Sequence, residues 1–181
     1  MVQHYPCSVP TDRQKGKVCG ILCSLRLDGL IRQIIHQLKY RNLRAVAVSL
    51  AQLMRDYLVA NPVPGEVLVP VPLHQKRLRE RGYNQSSLLA RELGKLIGLP
   101  VVDDCLIRQT HALPQARTSN IDERKSNVAD AFICHDHRLQ GRQVLLIDDV
   151  STSGATLDAC AATLKAAGAT SVWGLALARE I

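Results

Sequence analysis

The sequence predicts an α/β fold built on a mostly parallel sheet flanked by helices. Three observations predict it. Residues 144–147 (VLLI) and 66–73 (EVLVPVPL) are near-continuous apolar runs, as in strands buried on both faces. Other segments carry apolar residues at helical spacing, such as Leu157, Cys160, Ala161 and Leu164. The two kinds alternate in the order β-α-α-β-α-β-β-β-α-β, with one long polar segment after the third strand.

Composition bounds the chain further. Its 181 residues suit one domain with a full core, and 46% hydrophobic with 22% charged residues is a globular balance. Aromatics make up only 3%, so the core must be aliphatic, and a stacking platform for single-stranded nucleic acid is disfavoured. The formal charge of +7 suits a polyanion, either a diphosphate or a nucleic acid, although a basic surface alone decides neither. The first 17 residues lack the apolar stretch of a signal peptide, and no apolar run approaches the ~18 residues of a membrane span. The cytoplasm is therefore the expected location, with the six cysteines reduced and no membrane insertion.

In chain order, residues 1–17 read as a polar N-terminal arm and 18–181 as the folded domain. His4, Cys7, Cys19 and Cys23 have the donor set of a Cys₃His zinc site, with irregular spacing. Cys23 also falls in the alternating run 22–27, which reads as a strand. Helices are expected at about 29–40, with Leu30, Ile31, Ile34, Ile35 and Leu38 on one face, and at about 43–59. Pro70 and Pro72 end the strand at 66–73. A basic loop follows, with His74, Lys76, Arg77, Arg79 and Arg81, at the place where an open α/β sheet binds anions. A helix at about 84–98 and a strand within 101–107 come next. The polar, basic segment 108–127 reads as a flexible lid with Arg117, Arg124 and Lys125 as cationic tips. Strands at about 128–134 and 171–178 complete the set, and His135 and His137 read as a solvated turn.

The chemistry concentrates in residues 144–168. After the apolar run come Asp148 and Asp149, then Ser151, Thr152, Ser153, Gly154, Ala155 and Thr156, then a helix ended by Gly168. A helix N-terminus presents free N–H groups and partial positive charge, and small residues let an anion approach the backbone. The two carboxylates can accept hydrogen bonds from a sugar diol or help hold Mg²⁺. One loop thus offers a phosphate pocket beside a diol or metal clamp.

This stretch resembles the PRPP-binding motif of the type I phosphoribosyltransferases, with Ser153 where Thr is commoner. Together with IIHQLKYRN, VPVPLHQKRLRERGYNQ and ERKSNVADAF in the same order, it is similar to the ComF/GntX family over most of residues 28–178. The resemblance implies a type I phosphoribosyltransferase fold with a lid loop. It implies that Asp148 and Asp149 hold the ribose hydroxyls and that residues 151–156 cradle the 5-phosphate. It further implies that Leu73, Lys76, Arg77 and Arg81 bind pyrophosphate, and that the segment from Arg117 to Asn127, with Arg124 and Lys125, is the flexible catalytic loop. Mg²⁺ would arrive with PRPP. An N-terminal zinc module is typical of the family, and the arm here resembles a shortened remnant of one. The implied activity is transfer of a phosphoribosyl group to an unidentified acceptor with release of pyrophosphate, in DNA utilisation or nucleotide salvage. The alternative is a non-catalytic module that binds PRPP or nucleotides, or handles single-stranded DNA with competence proteins.

Overall fold

The computed structural model describes residues 17–40, 44–109 and 131–180. Four parallel strands form the central sheet in the order β1-β6-β5-β2: β1 is Ile21–Arg26, β2 Val67–Pro70, β5 Gln143–Ser151 and β6 Ser171–Arg179. Val101 adds one parallel bridge to Leu68 outside β2. The short strands β3 (Leu106–Arg108) and β4 (Phe132–Cys134) pair antiparallel by themselves. Their pairing extends to Gln109, which donates to the Ala131 carbonyl at 2.8 Å. Gln109 and Ala131 therefore lie side by side; of the lid predicted over 108–127, Arg108 belongs to β3 and residues 110–127 are outside the described residues.

Helices cover both faces of the sheet. On one face Leu38 of α1 (Gly29–Tyr40), Leu50 and Met54 of α2 (Arg44–Ala60), and Leu89 and Leu93 of α4 (Gln85–Ile97) meet Leu68, Leu145, Ile147 and Leu175. On the other, Leu157, Cys160 and Leu164 of α5 (Ala155–Ala166), with Phe132, meet Val144, Leu146 and Val172. The alternation of Val144 and Leu146 with Leu145 and Ile147 between the two clusters is the period-two geometry of a strand covered on both sides.

Three sequence-based expectations change. Strand β5 does not stop at Ile147 but continues through Ser151, because Asp148, Val150 and Ser151 still pair with Ala176, Ala178 and Arg179. Strand β2 ends at Pro70 as expected, with Pro70 in register with Ile147 and Val71 donating once more to the Ile147 carbonyl. The basic segment is not a loop: Gln75–Arg81 forms α3, capped by His74 Nδ1 accepting from the Lys76 amide and ended by Gly82. The strand expected within 101–107 is divided between the bridge at Val101 and β3.

Helix α1 crosses the carboxyl edge of the sheet. Near its start Arg32 pairs with Glu180 beyond β6, and near its end Lys39 pairs with Asp149 of β5. Leu30, expected on its buried stripe, is 67% exposed, because only the later turns have the sheet beneath them.

Gly94 is where α4 meets the chain that returns to the sheet. A Cβ there would meet the Leu99 carbonyl oxygen and Val101 Cγ2, both at 2.8 Å. Gly94→Ala should therefore lower stability by about 1–3 kcal/mol, although alanine in an open helix gains about 1 kcal/mol over glycine. A thermal melt checks this, and a raised midpoint would show that the return segment yields freely.

Candidate functional site

The parallel strands place the loops after β1, β2 and β5 at one edge, where such sheets bind ligands. The loop after β5 turns at Gly154, which caps α5 with φ of 80° and no side-chain cap hydrogen bond. A Cβ on Gly154 would stand 2.6 Å from Ile21 Cδ1, so glycine is required by both backbone and space. Thr152, Ser153 and Ala155 are exposed, Ser151 is buried, and Ser153 Oγ accepts from the Ala155 amide at 3.4 Å. Residues 151–152 and 154–157, with Asp148 and Val150, line a small pocket of about 30 Å³. The first turn of α5 opens on this pocket and can receive an anion there, with the Ala155 amide held by Ser153 Oγ.

Asp148 and Asp149 are 8% and 5% exposed. Asp148 follows Val144 and Leu146 toward α5, and Asp149 follows Leu145 and Ile147 toward α1 and α4. The first turn of α4 reaches over both. Ser86 Oγ donates to Asp148 Oδ1 at 3.1 Å, and Gln85 Nε2 donates to Asp149 Oδ1 at 3.3 Å. Lys39 Nζ stands 2.6 Å from Asp149 Oδ2. Asp148 also accepts from the Asp149 amide. Burial first, then the neighbouring Asp149 charge, pushes the Asp148 carboxyl up to about 8. Cys160, behind it on α5, is fully buried, and its thiol is pushed upward by that burial and then by Asp148, which keeps it a neutral core group.

The predicted pyrophosphate residues lie after β2. Leu73 is half-buried in the turn, and Lys76 and Arg77 are exposed on α3. Arg81 is half-buried, with Nη1 donating to Gln85 Oε1 at 3.1 Å. Arg81, Gln85, Asp149 and Lys39 therefore form a chain of contacts from the basic helix to the carboxylates. Leu73 also borders a larger cavity of about 560 Å³ between α3, α4 and β3.

Of the other candidates, Arg117, Arg124, Lys125 and Asn127, with His4 and Cys7, lie outside the described residues. Cys23 is buried in the core on β1, whereas Cys19 is exposed with its Sγ accepting from Lys165 at 3.7 Å. Asp158 of α5 accepts from the Lys17 and Val18 amides. Sequence reasoning gave no role to Lys39, Gln85 or Ser86. The available signal was polar Gln85 and Ser86 at the start of an amphipathic helix, where they are 5% and 1% exposed.

A four-stranded parallel sheet between helix layers, with a glycine-capped anion loop at its carboxyl edge, is the architecture of the type I phosphoribosyltransferases. Glutamine phosphoribosylpyrophosphate (PRPP) amidotransferase from B. subtilis has this fold, with a TM-score of 0.50 at 18% identity over 74% of this chain and 26% of its own. Within that class the chain belongs to the ComF family of competence protein F. It is 31% identical over 157 residues to competence protein F of Haemophilus influenzae, covering 80% of this chain and 67% of that protein. It is 32% identical over 153 residues to DNA utilization protein YhgH of Escherichia coli K12, covering 82% of this chain and 66% of that one. The chain thus spans about two thirds of the length of these curated relatives. No family profile matches it. Among the described residues no helix is long and apolar enough to cross a membrane.

Proposed function

We propose that this chain binds PRPP in the cytoplasm and transfers its phosphoribosyl group to a nucleophilic acceptor in the service of DNA uptake and utilisation. One observation carries the reading: a glycine-capped helix N-terminus, two buried carboxylates and a basic helix stand on one sheet edge. The amides and hydroxyls of residues 152–156 would take the 5-phosphate, while Asp148 and Asp149 would accept the ribose hydroxyls. Lys76, Arg77 and Arg81 would meet the diphosphate. In the transfer, the bond from ribose C1 to diphosphate oxygen breaks with its electron pair leaving on the diphosphate, a bond from C1 to the acceptor nucleophile forms, and the acceptor's proton passes to solvent or the diphosphate. Positive charge grows on the ring and negative charge on the leaving group, so carboxylates at one end and guanidinium groups at the other stabilise both.

The donor set suits a cation carried by phosphate. Asp149 Oδ2 is already engaged by Lys39, and Asp148 is the carboxylate that lines the loop pocket. Mg²⁺ bound to the diphosphate would neutralise the leaving group.

A second reading is binding without turnover. It is favoured by the names of the relatives and by α3, which buries no residue and exposes Lys76, Arg77 and Arg79 to any polyanion. Titration of PRPP with Mg²⁺ into wild type and into Asp148→Asn/Asp149→Asn tests the shared site. Binding should fall at least ~100-fold in the folded double variant, through lost charge-assisted hydrogen bonds. A folded wild type that does not bind PRPP would overturn both PRPP readings. Diphosphate release with an acceptor present would then separate transfer from binding, and a steep loss of DNA affinity with salt would favour the DNA role.

A further inference from the structure

The two carboxylates of β5 are held differently. Asp148 accepts from a hydroxyl and an amide, Ser86 Oγ and the Asp149 N–H. Asp149 has Lys39 on one oxygen at 2.6 Å and the Gln85 amide on the other at 3.3 Å. Gln85 cannot be reversed in this setting. Its Oε1 accepts from Arg81, so its Nε2 donor must face Asp149.

Lys39 is equally constrained. The Tyr83 hydroxyl donates to the carbonyl of Leu38, the residue before it, and Leu38 is wholly buried. The end of α1 is thereby fixed against the turn between α3 and α4. Two adjacent buried carboxylates at one strand end repel each other, and the Lys39 ammonium offsets one of those charges. An ionised carboxylate has about four acceptor positions; Gln85 takes one on Oδ1, and the Lys39 ammonium pairs with Oδ2 without a directed hydrogen bond to it, so acceptor positions remain for a ligand.

We propose that Lys39 and Gln85 are positioning residues that hold Asp149 as a fixed acceptor for the 2-hydroxyl of a ribose. They thereby set the preference of the site for a ribose over a 2-deoxyribose phosphate. The inference rests on the sugar-phosphate reading above.

The test titrates ribose 5-phosphate and 2-deoxyribose 5-phosphate, with Mg²⁺ present, into wild type, Lys39→Met, Lys39→Arg and Gln85→Leu. Wild type should prefer the ribose form by about 10–150-fold, the range of one good hydrogen bond to a charged group. Lys39→Met should reduce that preference to below about 3-fold, yet leave affinity for the deoxy sugar within about 2-fold, because the loop holds its phosphate. Lys39→Arg should restore most of the preference, and Gln85→Leu should lose part of it. Equal weakening of both ligands in folded Lys39→Met would mean that Lys39 supports only the fold, and would overturn the proposal. So would an unchanged preference in that variant or, if it does not fold, in Gln85→Leu. Wild type that binds neither sugar phosphate would instead overturn the reading of the site itself.

Discussion

Between about pH 5.5 and about pH 8.5 the thermal midpoint of the wild-type chain is expected to fall by about 5–10 °C relative to that of Asp148→Asn. The cause is the buried carboxyl of Asp148, raised from an ordinary 3.8 to about 8 by burial and by Asp149. A group whose folded value is raised binds more protons folded than unfolded between the two values. Its stabilising contribution is full below the unfolded value and is lost as the pH rises toward and through about 8. Over this window, which opens above the unfolded value, an isolated carboxyl so displaced would lose about 3–4 kcal/mol. Coupling to Asp149 and the entry of water reduce this, and about 2–3 kcal/mol is the expected size, at about 2–4 °C per kcal/mol for a domain of this length. Asparagine keeps an acceptor for Ser86 Oγ and for the Asp149 amide but carries no charge to bury. Groups remote from residue 148 cancel between the two proteins, so the difference between the two curves reports residue 148 together with the neighbours coupled to it. Asp148→Asn should therefore be the more stable protein at high pH and the poorer binder of sugar phosphate, as expected for a strained functional charge. Parallel curves in phosphate-free buffer would show that Asp148 ionises freely in the folded chain.

The parts of this protein that were legible in its sequence are those whose signal is local. Val144 to Ile147 read as a doubly covered strand because both neighbours of the sheet are apolar. The anion loop was legible because its carboxylates, hydroxyls and glycine are contiguous, and Gly154 does take positive φ. Gly168, read as the C′ residue of α5, also has positive φ, just beyond the Ala167 cap. The errors follow from pairing at a distance. Asp148 and Asp149 looked like the end of a strand because they are charged, yet β6 continues to hydrogen-bond alongside them. α3 looked like a loop because none of its residues is buried and so it has no apolar stripe, although His74 and Gly82 supplied a cap and a stop. Lys39 could not be assigned to the site at all. It follows buried Leu38 on an amphipathic helix, and only the path of α1 across the sheet edge brings it to Asp149.

Gly154→Ala should lower stability by about 3 kcal/mol and weaken phosphate-ligand binding by about 100-fold, and the companion change Ile21→Val separates its two causes. One cause is conformational: φ of 80° strains any residue with a Cβ, by about 1–2 kcal/mol. The other is spatial, since the new methyl would stand 2.6 Å from Ile21 Cδ1, a core atom on β1 beneath the loop. Ile21 cannot simply retreat. A Cβ at Gly174 would lie 3.4 Å from Ile21 Cγ1 and 3.1 Å from Leu157 Cδ1, so these two side chains already fill the space over β6. Overlap in such a core forces the backbone to move, and here the backbone carries the amides meant for the anion. Ile21→Val removes the methyl that collides and by itself should cost about 1 kcal/mol. In the double variant the spatial part disappears while the conformational part stays. The pair should therefore be less than additive by about 1–2 kcal/mol in urea unfolding, and PRPP affinity should recover to within about 10-fold of wild type. Strict additivity would place the whole effect in the strained φ. It would mean that the loop's shape is set by Gly154 alone rather than by its packing on Ile21.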